Sequence, residues 1–169
     1  MEILDVDYER VLSIMTSFNR TFPSLKIFSK SIVTECENRN GRLTLASGRA
    51  RTFPDICSSD FAAKSHAERQ AVNFIIQGTA ADLCKTAMIL TMDKLRKADP
   101  PIDGHLVLQI HDELVWEVLD EHMDRAAAII KTTMENCGRE CGMDIALPVA
   151  TYRGTSWGEM EEFIPEEVI

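Results

Sequence analysis

The chain has 169 residues, 45% of them hydrophobic and 27% charged, the balance of a globular protein with enough length for one sizeable core. No apolar run reaches the roughly 18 residues that a membrane-spanning helix needs, and the acidic start Met1-Glu2-Ile3-Leu4-Asp5 lacks the pattern of a secretory signal, so no membrane partner is expected. The net charge of −9 argues against a nucleic-acid partner until its distribution is read: residues 1–97 carry 14 Lys/Arg against 11 Asp/Glu, and residues 98–169 carry 4 against 16. A part fit to meet phosphate precedes an acidic part, although a merely solvated acidic face gives the same count. The five cysteines are an odd number without CxxC spacing, which predicts free thiols and a reducing compartment. Cys137 and Cys141 stand four apart, but no His lies near them in sequence, and a zinc site there is disfavoured.

From Asp7 to Phe22 the residues Val11, Leu12, Ile14, Met15 and Phe18 fall at helical spacing. Pro23 interrupts, and Ser24 is the expected cap of a second helix reaching Glu37. Both read as scaffold. Asn38-Arg39-Asn40-Gly41 signals a turn, and Arg42 to Pro54 reads as a small hairpin carrying Arg42, Arg49 and Arg51. Those arginines are either solvated, or they hold phosphate or brace an acidic neighbour.

Ser58 to Asp60 is the expected cap of a long helix running to Lys97. Within it Arg69, Asn73 and Gln77 are spaced four apart and therefore share one face. All three can donate hydrogen bonds without demanding a particular base, and the DNA minor groove offers acceptors at near-equivalent places on every base pair. A satisfied polar helix edge is the plainer reading. Val72, Phe74, Ile75 and Ile76 are expected to bury beside this line. Gly78, costly inside a helix by about 1 kcal/mol relative to Ala, marks a kink or a close approach by another backbone. Leu83, Ala87, Leu90 and Leu95 form a core stripe with Met88 and Met92 filling gaps.

After Pro100-Pro101 come two apolar runs around three polar residues, Leu106-Val107-Leu108-Gln109-Ile110-His111-Asp112-Glu113-Leu114-Val115-Trp116-Glu117-Val118. This predicts an antiparallel hairpin with His111, Asp112 and Glu113 at its tip. A tight turn prefers Gly where φ is positive, and none is available. Adjacent carboxylates on a rigid tip suit a hard divalent cation, while an ordinary surface turn is also polar. A helix over Asp120–Cys137 follows, with Ala126, Ile129, Ile130 and Thr133 inward and with Gly138 and Gly142 breaking it. Leu147 to Tyr152 reads as a final strand, and 159–169 as an acidic surface tail.

Taken together, His66-Ala67-Glu68-Arg69-Gln70-Ala71-Val72-Asn73-Phe74-Ile75-Ile76-Gln77-Gly78-Thr79-Ala80-Ala81-Asp82 and the later Gln109-Ile110-His111-Asp112-Glu113-Leu114 resemble a family A DNA polymerase. The resemblance runs from Tyr8 to Gly158 and includes Gly48-Arg49-Ala50-Arg51-Thr52-Phe53-Pro54-Asp55, similar to the family's GRxRxxPD turn. The Ala67 to Phe74 and Ala80 to Lys85 runs with Ser156-Trp157-Gly158 look closest to the nu and theta branch.

The resemblance implies an α+β fold, the C-terminal part of a right-hand polymerase, with an antiparallel palm hairpin packed on long helices. Residues 1–97 would be finger and palm helices with a primer-template face, and 98–158 palm with the metal-binding hairpin. It implies that Asp112 binds catalytic Mg2+, two ions in the complete site, with Glu113 beside it near the primer end. His111 is expected to touch the primer backbone, and Arg69, Asn73 and Gln77 the primer-template minor groove. The partners implied are primer-template DNA and deoxynucleoside triphosphates. Nuclear location and a role in DNA repair go with the nu and theta branch. Two family elements are not found in these residues: motif A, an Asp-bearing strand, and the nucleotide-binding helix, after which Met1 is expected to stand. The palm sheet is then expected to lack a central strand, exposing apolar hairpin surface, and the chain alone is expected not to extend a primer. The alternatives are a non-catalytic primer-template binding fragment and a fragment that packs on a separate polypeptide supplying motif A.

Overall fold

The computed structural model describes residues 7–165. The chain divides into two compact units at Thr79–Ala80. In the first, helix α1 spans Tyr8–Thr21 and helix α2 spans Pro23–Asn38. The predicted Ser24 cap is not formed: Phe22 is the N-cap residue and Pro23 occupies the first turn. Proline there fits because its fixed φ suits the helix and its missing N–H would have had no partner. α1 buries none of its residues; Ile14, Met15 and Phe18 are all at least half exposed.

Strands β1 (Arg42–Thr44) and β2 (Ala50–Thr52) pair antiparallel, with Leu43 opposite Arg51. A 3-10 turn, Pro54–Cys57, leads to helix α3, Phe61–Lys97. The predicted cap forms: Asp60 Oδ1 accepts from the Ala62 N–H at 2.8 Å and from Ala63 at 3.3 Å. The first core gathers Ile32 and Cys36 of α2, Leu43 of β1, Leu45, Phe53 and Ile56, and Ala67, Ala71 and Phe74 of α3. Phe53 and Phe74 meet edge to face, with ring centroids 5.8 Å apart.

Helix α3 passes through Gly78 without interruption. No backbone closes on that glycine, contrary to expectation. A Cβ there would stand 2.8 Å from Leu45 Cδ1 and 3.4 Å from the Phe74 ring, so it is a core side chain that requires the bare α-carbon.

In the second unit, strands β3 (Gly104–Ile110) and β4 (Glu113–Val118) form a two-stranded antiparallel sheet. Leu106 lies opposite Trp116 and Leu108 opposite Val115, so Val107 is an extra residue, a β-bulge. Val107 and Leu108 are 52% and 39% exposed, as expected of a sheet open on both edges. The other end of the hairpin packs on helices: Leu95 of α3, Ile102 and Ala126 are buried together, with Trp116, Val118, Ile129 and Ile130 against them. The buried stripe of α3 here is Ala87, Thr91 and Leu95, four apart. Thr91 takes the place that hydrophobic spacing assigned to Leu90.

Helix α4 spans Met123–Glu140, entered by a 3-10 turn over Asp120–His122. Gly138, expected to break it, does not. It stays helical and buried, where a Cβ would come within 3.3 Å of Leu147 Cδ1. Gly142 does end it: at φ +76° it allows Met143 to donate to the Gly138 carbonyl and Gly142 to donate to Arg139, each at 2.9 Å, a Schellman stop.

The expected strand over Leu147–Tyr152 is not formed up to Thr151. Only Tyr152–Arg153 (β5) pairs, with Glu161–Glu162 (β6) of the acidic tail. A strand exists only against a partner: Thr151 accepts from the Phe163 N–H at 2.8 Å, while residues 147–150 join neither of these two small sheets. Residues 149–151 line one side of a groove of about 380 Å3, walled by Leu114 and Trp116 of β4, Ala126 and Ile130 of α4, and Tyr152.

Candidate functional site

In the first unit, Arg69, Asn73 and Gln77 are all exposed on α3, while Ala67, Ala71 and Phe74 are buried on the opposite side. The helical phase that buries one set presents the other as a line. Arg69 Nη1 donates to Ser65 Oγ at 2.8 Å, one turn back, which restrains a long side chain before any ligand arrives. Val72 and Ile75 flank the line partly buried, but Ile76 is 57% exposed and corrects the expectation that it lies inward. Of the three hairpin arginines, Arg51 stands over the Phe53 ring, its guanidinium carbon 5.0 Å from the centroid, held by the cation–π attraction.

In the second unit, the hairpin tip is narrower than the sequence triplet. Ile110 pairs with Glu113, so Glu113 opens β4 and the turn is two residues, His111 and Asp112. His111 has φ +53°, the left-handed region that costs a residue with a side chain roughly 1–2 kcal/mol. Histidine is tolerated there better than most. His111, Asp112 and Glu113 are all exposed.

Two neighbours of the tip were not identified from sequence. Gln109 Nε2 donates to the His111 carbonyl at 2.5 Å. The signal was present, because Gln109 is the one polar residue in the run Leu106 to Ile110. Cys84 of α3 stands within electrostatic reach of Asp112: burial pushes its thiol up, and the Asp112 charge adds to the shift. Cys84 and Asp112 lie 28 positions apart, beyond any local pattern. All five cysteines are free thiols.

The donors at the tip are carboxylate oxygens, which match a hard cation such as Mg2+, commonly held by one or two protein carboxylates plus substrate phosphates. Among the described residues no group of three or more His, Cys, Asp or Glu is placed to hold a metal. The tip therefore fits one edge of a metal site, with ligands still to come from outside the described residues.

The model of DNA polymerase family A matches residues 1–159. The chain belongs to this family. It is 34% identical over 159 residues to the thermostable DNA polymerase I of Thermus filiformis, covering 94% of this chain and 18% of that protein. It is 33% identical over 169 residues to DNA polymerase theta of Drosophila melanogaster, covering 95% of this chain and 8% of that one. The chain thus spans less than a fifth of either relative. Bacterial and fly relatives match at similar identity, which places the chain in the family rather than on one branch. A solved POL domain of Pol1 from M. smegmatis, in complex with DNA primer-template and dNTP, has the same fold over 79% of this chain and 23% of that one. The TM-score is 0.71 at 30% identity. This family A chain is α+β, with small antiparallel sheets packed on long helices.

Proposed function

We propose that this segment serves template-directed DNA synthesis as the palm and adjoining finger helices of a family A polymerase, acting on primer-template and deoxynucleoside triphosphates. The observation that carries the reading is the two-residue turn, with Asp112 in it and Glu113 next to it, both exposed on a hairpin anchored in a helical core, in a chain of this family. In this reading Asp112 is the metal ligand and Glu113 stands beside it near the primer end. His111 meets the primer backbone, and Arg69, Asn73 and Gln77 donate to minor-groove acceptors, sensing pair geometry without reading sequence. Two Mg2+ ions, when bound, supply activation of the primer 3′-hydroxyl and neutralise charge at the leaving pyrophosphate.

The 169 residues offer one adjacent carboxylate pair at the tip, so nucleotide addition belongs to this segment working with motif A and the nucleotide-binding helix. Support comes from the unpaired edge of β4 and the groove beside it, which suit an added strand. Nuclear location and repair belong to the same reading through the theta-like relative.

The test is anisotropy of the purified chain with primer-template duplex and with single strand, across salt. The expected result is a duplex preference that weakens with salt and falls with Arg69→Ala and Gln77→Ala. Absence of binding at low salt overturns the primer-template face. Metal-dependent primer extension by the chain alone, abolished by Asp112→Ala, overturns the requirement for those further polymerase elements.

A second reading is a non-catalytic primer-template binder. The donor line favours it, since it lies in a unit that does not contain the tip. It is distinguished by supplying the missing polymerase elements: if Asp112→Ala then changes nothing while Arg69→Ala still weakens binding, the catalytic reading fails.

A further inference from the structure

We propose that Gln109 is a positioning residue for Asp112, an inference that rests on the metal-site reading above. Its amide nitrogen donates to the carbonyl oxygen of His111 at 2.5 Å. That carbonyl belongs to the peptide joining His111 to Asp112. A peptide unit is a rigid plane, so fixing one of its atoms from the side restrains ψ of His111 and φ of Asp112 together. The second of these sets the direction in which the Asp112 side chain leaves the backbone.

The turn needs this restraint because of what it is made of. A two-residue hairpin loop ordinarily draws its positive φ from glycine or asparagine, and here His111 adopts φ +53° without that freedom. Gln109 is well placed to act: it lies opposite Leu114 in the β3–β4 register, one pair below the turn, and is exposed. Neither burial nor core packing explains a polar side chain in the otherwise apolar run Leu106 to Ile110. The bond to the turn does. His111 and Gln109 thus form one device, a strained residue and the side chain that holds it, presenting the carboxylate beyond.

The test uses the full chain with Gln109→Leu, which keeps bulk and loses the donor, Gln109→Glu, which keeps length, His111→Gly, and the Gln109→Leu/His111→Gly double variant. Two readouts are taken: the strong intraresidue HN–Hα NOE that marks positive φ at position 111, and Mn2+ affinity from paramagnetic broadening of the Asp112 and Glu113 amides. Both Gln109 variants are expected to weaken that NOE and to lower Mn2+ affinity roughly tenfold, the scale for losing a group that orients a metal ligand. Glycine at 111 adopts the conformation unaided, so the Gln109→Leu loss is expected to shrink severalfold in the double variant. A general packing role lowers Tm without this rescue. Unchanged position-111 geometry in both Gln109 variants overturns the proposal, as does equal loss with and without glycine. If the turn responds as expected but the parent chain shows no Mn2+ broadening of the Asp112 and Glu113 amides, the positioning role is overturned and Gln109 is a clamp of the turn alone, while the metal reading of Asp112 is decided separately, by Mn2+ affinity with the further polymerase elements supplied.

Discussion

Gly78 and Leu45 are fitted to each other: a β-carbon on Gly78 would lie 2.8 Å from Leu45 Cδ1, and Leu45 is only 6% exposed. Gly78→Ala therefore sets two effects against each other. Helix propensity favours alanine by about 1 kcal/mol, while overpacking a filled core costs about 1–3 kcal/mol. The net is a loss of about 1 kcal/mol in denaturant unfolding, larger for Gly78→Val. In a Leu45→Val background the alanine cost is expected to fall or change sign, since contacting sites couple.

Asp60 caps the longest helix of the chain through its bonds to Ala62 and Ala63. Asp60→Ala is expected to lower stability by about 1 kcal/mol and Asp60→Asn by less. A shifted urea midpoint at constant slope is the signature. A changed slope would mean that the helix start had already frayed.

Lys131 holds the Glu135 carboxyl below its ordinary value through a hydrogen bond at 2.8 Å. Glu135 also accepts from the Val149 backbone. A depressed carboxylate contributes stability that is present above the unfolded value, about 4.5, and that is lost as pH falls through the lower folded value. Stability between pH 7 and 5 should therefore be flat with respect to this group, with a decline below. Glu135→Gln should flatten that decline and loosen residues 147–151, read as faster amide exchange at Val149. An unchanged acid limb would show that the pair contributes nothing.

The free edges of the β3–β4 sheet and the apolar exposure of Val107 and Leu108 predict self-association of the isolated chain. Leu108→Lys should raise the concentration at which light scattering begins and should reduce binding of an apolar dye. No change in either would place the association elsewhere, with Ile14 and Phe18 of α1 the next apolar surface to substitute.

The elements legible in sequence were those specified by neighbours in the chain. The α1 and α2 periodicities, the Asp60 cap and the two hairpins all depend on residues within a few positions of one another. The His111 turn was legible too, because its want of glycine is itself a local fact. Long-range terms account for the misses. Gly138 looked like a breaker until Leu147 supplied the reason for its missing side chain. Residues 147–150 have strand composition but no strand to join, and the pairing of Tyr152 with Glu162 cannot be seen in a run of acids. Of the candidate site, the residue types and their placement on one helix face and one turn were legible. The approach of Cys84 to Asp112 was not.

The extra residue at Val107 separates two demands on one strand. Strand side chains keep a period of two, and β4 keeps it unbroken from Glu113 to Val118, whereas β3 changes phase at Val107. With the bulge, the half anchored at Trp116 and Val118 obeys one phase and the half leading to Gln109 and His111 obeys the other. Removing Val107 would therefore leave every pair from Gly104–Val118 to Ile110–Glu113 its partner, and what the strand would lose is the local bend and added twist of the bulge.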